Sequence, residues 1–208
     1  MVLEIVKPEE IEKRSMEIIA SELGGRTWEE PRFSIIKRCI HTSADFEYAD
    51  SLAFSDDAEN IGVRLLRGGA HIVTDTKMAA AGINKNRLKS FGGEVHCYIS
   101  DDDVIEEARR RGVTRAAVAM EKASALEGDV VYAIGNAPTA LFSLCDLVRS
   151  GRARPSLVIG APVGFVNIIE SKEEIMKLGL PYIVARGRKG GSNIAATICN
   201  AMLYYGGR

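Results

Sequence analysis

Five short apolar runs, at 71–75, 94–99, 130–134, 157–160 and 181–186, alternate with helical segments along the chain. That alternation is what most constrains the fold, because it specifies an α/β architecture with parallel strands. It predicts a mostly parallel, Rossmann-like sheet of about five strands. Right-handed crossovers place helices on both faces. Ahead of the first run lies a helical N-terminal third, expected to pack on the sheet or partly on a second subunit. Nothing along the 208 residues marks a linker, so the expectation is a single domain over 1–208.

The helical third carries the first chemistry. Residues 8–23 are patterned as an amphipathic helix, with Pro8 in its first turn and Gly24 just beyond its end. Ile11, Ile18, Ile19 and Leu23 mark its inward stripe, and Arg14 and Ser15 fall on the same stripe. Two polar residues there need partners: either the stripe has a solvated gap, or they face a ligand. Thr27 and Glu30 form the pattern of a capping box. Phe33, Ile36 and Ile40 then recur at helical spacing, and His41 follows where that face runs out. The negative end of a helix dipole favours positive charge, so His41 is either a proton donor or a surface or satisfied core histidine. A helical run is expected to about residue 54, and Ser55 is placed to cap a helix over 56–67. Asp101 to Asp103 open, and Arg109 to Arg111 close, a helix whose charges suit its dipole. Ser171 and Glu174 form another capping-box pattern, and Ser192 opens a last helix that closes at Gly206.

Composition excludes several classes. Formal net charge is -1, without the basic excess of a nucleic-acid or anionic-membrane binder. Hydrophobic content of 46% with 26% charged residues suits a soluble globular chain. No apolar run approaches the ~20 residues of a membrane span, and no secretory leader pattern is present. Cys39, Cys97, Cys145 and Cys199 are widely spaced in apolar runs, as expected of buried thiols in a reducing cytoplasm. No His, Cys, Asp and Glu spacing matches a metal site. His71 and His96 lie at a strand start and within a strand, where structural roles are expected.

Ligands of open α/β sheets bind beyond the carboxyl ends of the strands. The loops there contain Thr76, Lys77 and Met78; Gly135, Asn136, Ala137, Pro138 and Thr139; Pro162, Val163, Gly164 and Phe165; and residues 186–192. In the last, Gly187, Gly190 and Gly191 precede a helix start at Ser192, while Arg186, Arg188 and Lys189 add positive charge. Free N–H groups at a helix start favour anions, so this is either an anion-holding loop or an ordinary glycine turn. None of these loops carries a dinucleotide or P-loop fingerprint, and there is no hydrolase elbow. An acid or base, an anion-holding loop and no cofactor signature fit an enzyme that moves protons on a carboxylate- or phosphate-bearing substrate.

Arg14-Ser15, Ile40-His41-Thr42 with Ala44-Asp45, the run from Gly135 to Leu141, Pro162 to Val166, Glu170-Ser171-Lys172, and Arg186-Gly187-Arg188 with Gly190-Gly191-Ser192 share an order and spacing. Together they resemble the precorrin-8X/cobalt-precorrin-8 methylmutases of cobalamin biosynthesis, and the resemblance covers essentially the whole chain. It implies an isomerase that moves a methyl group between neighbouring ring C carbons of a corrin precursor, giving a cobyrinate or hydrogenobyrinate. His41 falls where the family's proton donor and acceptor stands. Arg14, Ser15, Thr42, Thr76, Met78, Asn136, Arg186, Gly190, Gly191 and Ser192 become the expected substrate-binding set. The resemblance further implies no resident cofactor or protein metal site, a polycarboxylate corrinoid substrate that brings any cobalt with it, no nucleic-acid or membrane partner, and a cytoplasmic homodimer with active sites near the interface. Thr42-Ser43-Ala44-Asp45 is closer to the cobalt-dependent members. The alternatives are a nucleotide-dependent Rossmann-like enzyme and a non-catalytic tetrapyrrole carrier.

Overall fold

A computed structural model describes residues 7–207. The leader-peptide expectation rests partly on residues 1–6, outside that range. After a 3-10 turn at Pro8–Glu10, the helices are α1 (Ile11–Glu22), α2 (Arg32–Ser43), α3 (Tyr48–Ser51), α4 (Ala58–Arg67), α5 (Lys77–Gly82), α6 (Lys85–Ser90), α7 (Asp102–Arg111), α8 (Arg115–Ala123), α9 (Pro138–Arg149), α10 (Ile168–Met176) and α11 (Ser192–Tyr204). The strands are β1 (Leu52–Phe54), β2 (His71–Thr74), β3 (Val95–His96), β4 (Val130–Ile134), β5 (Leu157–Gly160) and β6 (Tyr182–Ala185).

The sheet has six strands, in the order β1-β6-β5-β4-β2-β3, where about five were expected. The extra strand is β1, which pairs antiparallel with β6 and occupies the segment read as the end of a helical run. Every other pairing is parallel. A three-residue edge strand leaves too little pattern to distinguish from a helix end. β3 is also shorter than its apolar run. Successive side chains of a strand point to opposite faces, and β4 shows what this does here. Val131 and Ala133 join the core made with α2, α4 and α11, whereas Val130, Tyr132 and Ile134 join the one made with α7, α8, α9 and α10. Helix α11 is apolar almost all round and lies in the first core, with Ile194, Ile198, Cys199 and Met202 fully buried.

Three caps differ from the sequence pattern. Helix α2 begins at Arg32, and its free donor at Ser34 N is taken by the Glu30 carboxylate at 3.0 Å, so Thr27 is not its cap. The Ser55 hydroxyl accepts from Tyr182 N at 2.9 Å, joining β1 to β6 instead of capping α4. Ser171 lies inside α10, donating to Ile168 O at 2.9 Å. In α1 the buried stripe contains Ile19 and Leu23, while Ile11 and Ile18 are exposed. Cys39, Cys145 and Cys199 are buried as expected, and Cys97 is half-buried. His71 and His96 meet at 3.2 Å between ring nitrogens. None of the described helices is long and apolar enough to cross a membrane.

Candidate active site

The chain leaves β2 in one direction to form β3 and returns on the other side of β2 to form β4. Such a reversal opens a crevice at the carboxyl ends of the two strands. One residue organises it. Asp75, buried directly after β2, accepts hydrogen bonds from Gly135 N at 2.8 Å, Asn136 N at 2.8 Å and Ala137 N at 2.7 Å. Burial pushes its carboxyl up, against the pull of those backbone donors. A cavity of about 540 Å³ lies alongside, lined by Thr76, Lys77, Ser100, Arg115, Asn136 and Thr139 among others. Neither Lys77 nor Arg115 has an acidic partner among the described residues.

The next loops close on this one. Thr76 caps α5 by accepting from Ala79 N, and its hydroxyl lies 2.7 Å from that of Ser192, the first residue of α11. Gly135 lies flat on the same helix start, where a Cβ would come within 2.6 Å of Ser192 Cα. A Cβ at Gly190 would sit 2.2 Å from Ala161 O, so the last glycine loop packs directly on the backbone after β5. Gly191 N donates to that same Ala161 O at 2.8 Å. Thr76 and Asn136 thus line the cavity itself, Ser192 reaches it through the Thr76 hydroxyl, and Gly190 and Gly191 sit one loop further along, on the backbone after β5. Met78 is exposed at the start of α5.

Helix α2 brings the remaining parts. It packs along α11, and Thr42 Oγ1 meets Thr197 Oγ1 at 3.0 Å. It ends at Ala44, whose left-handed conformation (φ 54°) turns the chain sharply. Lys189 of the glycine loop then clasps that turn, with Nζ 2.6 Å from Asp45 Oδ2 and 2.7 Å from Glu47 Oε2. The pair holds the Asp45 carboxyl below its usual range. His41, exposed in the last turn of α2, lines a smaller cleft of about 200 Å³ with Ser15, Ile18, Ile40, Ala44 and Phe46. Ser15 and His41 therefore share a wall. Arg14 lies to the side, 3.7 Å from Glu17.

The glycine loop differs from expectation in one respect. Arg186 is held by Glu173 at 3.0 Å and Lys189 by Asp45 and Glu47, so two of its three cations are already neutralised within the chain. Arg188 has no acidic partner among the described residues and lies over the Phe165 ring, 5.6 Å from its centroid. Beneath the loop, Lys172 Nζ donates to Gly187 O and Lys189 O, both at 2.8 Å. Burial pushes this ammonium down to about 8. No role was read for Asp75 or Lys172 from sequence. Lys172 had a visible signal, since it shares the stripe of Ile168 and Ile175 that α10 buries. Among the described residues no group of three or more His, Cys, Asp and Glu could hold a metal ion.

The fold and these loops define a class, an α/β protein with a switch-point crevice between β2 and β4 and a histidine helix end clasped to the glycine-rich loop after β6. Residues 10–205 match the family described as CbiC, precorrin-8X methylmutase. The chain is similar to the cobalt-precorrin-8 methylmutase of Priestia megaterium, 47% identical over 95% of this chain and 88% of that one. It is also similar to the cobalt-precorrin-8 methylmutase of Salmonella typhimurium, 46% identical over 97% of each. Among solved structures, the precorrin-8x methyl mutase from Thermus thermophilus superposes with a TM-score of 0.84 at 37% identity, covering 93% of this chain and 96% of that one. The chain belongs to the precorrin-8X methylmutase family and is an isomerase of cobalamin biosynthesis; a nucleotide-dependent enzyme or a passive tetrapyrrole carrier is not favoured.

Proposed function

We propose that this isomerase converts cobalt-precorrin-8 to cobyrinate, with His41 moving the proton and the strand-end loops holding the substrate's carboxylates. The observation that carries this reading is the clasp between Lys189 and Asp45, which joins the end of the His41 helix to the glycine loop. A corrin precursor is large, flat and anionic, so the acid and the carboxylate grip must belong to one surface.

In the reaction, His41 protonates the ring C system, the methyl group migrates to the neighbouring carbon, and loss of a proton leaves the product. Donor and acceptor of the methyl are the same molecule, so atoms and electrons balance without a co-reactant. The protein's share is orientation, worth several kcal/mol where reacting groups are well placed, and general acid catalysis, worth roughly 10²–10⁴-fold. Ser15 shares the histidine cleft and is suited to a hydrogen bond with the substrate rim. Cobalt, where present, belongs to the substrate. The names of the relatives and the Thr42 to Asp45 sequence favour the cobalt-bearing form.

We infer further that the enzyme is a cytoplasmic homodimer. Val163, Phe165, Val166 and Ile169 form an exposed apolar patch beside the glycine loop, with Phe165 83% and Val166 76% exposed. A patch of large apolar side chains next to a polar crevice suits a subunit contact.

The test is turnover followed by absorbance, because methyl migration changes ring C conjugation and binding alone does not. His41→Ala is expected to retain product binding and lose at least about 100-fold in rate. A normal rate in that variant would remove His41 from the mechanism.

A further inference from the structure

Lys172 is fully buried and faces no carboxylate; its two observed hydrogen bonds go to Gly187 O and Lys189 O, both at 2.8 Å. In a trans peptide the C=O of one residue and the N–H of the next point in opposite directions. With the carbonyls of Gly187 and Lys189 drawn inward, the N–H groups of Arg188 and Gly190 are directed away from Lys172. Neither N–H has an acceptor among the described residues. The neighbouring groups are all committed. Arg188 O accepts from Gly164 N at 3.2 Å, and Gly191 N donates to Ala161 O at 2.8 Å. Gly190 is boxed against Ala161 and Pro162. Two alternate N–H groups on one side of a rigid turn form a concavity suited to an anion.

The loop after β4 carries the opposite device. Asp75 draws in the N–H groups of Gly135, Asn136 and Ala137. One buried charge thus turns a loop's donors inward, while the other turns a loop's acceptors inward and leaves its donors free.

We propose that Lys172 is a positioning residue that sets the Arg188 and Gly190 N–H groups as a two-donor seat for one substrate carboxylate. The arrangement also explains why the side chains of Arg186 and Lys189 can be spent on Glu173 and Asp45 while the loop keeps its affinity for anions. The inference rests on the reading that this loop grips the corrinoid.

The test uses the full-length enzyme with cobalt-precorrin-8 for turnover and cobyrinate for binding. Lys172→Met is expected to raise KM and the cobyrinate Kd about tenfold, the loss of roughly one charge-assisted hydrogen bond, and to leave kcat within about threefold. Lys172→Arg, which restores donors beneath the loop, is expected to recover most of that affinity. A role confined to stability would lower the melting temperature without dividing KM from kcat in this way. A second measurement needs no variant. In the wild-type amide NMR spectrum, the Arg188 and Gly190 resonances are expected to shift on titration with cobyrinate. Unchanged KM and Kd in Lys172→Met, or unmoved Arg188 and Gly190 amides while cobyrinate binds, overturn the seat and leave the methylmutase reading standing. Wild-type enzyme that neither binds cobyrinate nor turns over would overturn both.

Discussion

Lys189 Nζ lies 2.6 Å from Asp45 Oδ2, and through that contact the glycine loop after β6 is fastened to the turn that follows His41. Both side chains are partly exposed, so the contact contributes little to global stability. Its consequence is positional, because it sets the spacing between the acid and the carboxylate grip. Lys189→Met is therefore expected to melt close to wild type while kcat falls, since a displacement of about 1 Å can cost about 100-fold. Asp45→Asn is expected to behave in the same way, and the double variant no worse than either single one. Additive losses in that cycle would show that the two residues act separately.

Arg188 and Arg186 stand two residues apart but in different electrostatic settings. Arg186 is paired with Glu173, whereas Arg188 has only the Phe165 ring beside it. A guanidinium with a carboxylate already bound has less to give a second one. Titration with cobyrinate is expected to show Arg188→Ala weakening binding about tenfold or more and Arg186→Ala by clearly less. The reverse order would mean that Glu173 releases Arg186 when the substrate arrives.

Much of this arrangement is legible in the sequence, and the parts that are not share a cause. The strands at 130–134 and 157–160 are found where their apolar runs stand because parallel strands buried on both faces need uniform hydrophobicity. The helix starting at Ser192 follows from the glycines ahead of it. β1 is missed because three residues carry no period, and its identity comes from Ser55 and β6, far away in the chain. Thr27 and Glu30 fit a cap on paper, but the chain enters α2 through Pro31 and only Glu30 reaches a helix donor. Asp75 looks like an ordinary strand end until Gly135 to Ala137 arrive about 60 residues later in sequence. What local spacing cannot show is a polar group whose partners are brought to it by the sheet.

Asp75 is such a group, its carboxylate held by three backbone donors of a distant loop. Asparagine has the same shape but one oxygen acceptor, and its amide would face backbone donors. Asp75→Asn is expected to lower stability by about 2–4 kcal/mol, the cost of leaving buried N–H groups without an acceptor, and to raise KM as the loop of Asn136 loosens. Urea unfolding together with steady-state kinetics would measure both. An unchanged midpoint would mean that water replaces the carboxylate.

The buried amine of Lys172 makes the stability of the fold depend on pH. Its pKa lies near 8 in the folded chain and at about 10.4 for an unfolded lysine. Below about pH 8 both states carry the proton, and burying the charge opposes folding. Between about 8 and 10 the unfolded state holds a proton that the folded state has released, so stability rises with pH across that window. The neutral amine still has two hydrogens for Gly187 O and Lys189 O, so the loop stays pinned throughout. Urea unfolding at pH 7.5 and 9.5 is expected to show wild type gaining on Lys172→Met as pH rises. A difference that is flat or of opposite sign would mean that the amine is neutral at both values or retains its proton at both.

Phe165 lies next to Gly164, whose N–H donates to Arg188 O at 3.2 Å, so the apolar patch is joined to the glycine loop by its backbone. If a second subunit covers the patch, the dimer contact and the carboxylate seat are mechanically joined. Phe165→Glu places a charge where a subunit contact would desolvate it, which is strongly unfavourable without a partner. Light scattering at micromolar concentration is expected to show wild type as a dimer and Phe165→Glu shifted to monomer. The folded core should be undisturbed, because this side chain contributes almost nothing to it. Turnover of the monomer should fall through KM, since its glycine loop has lost the support of the second subunit. A wild-type monomer would remove the subunit contact from the site and leave the exposed ring free to stack on the corrin face instead.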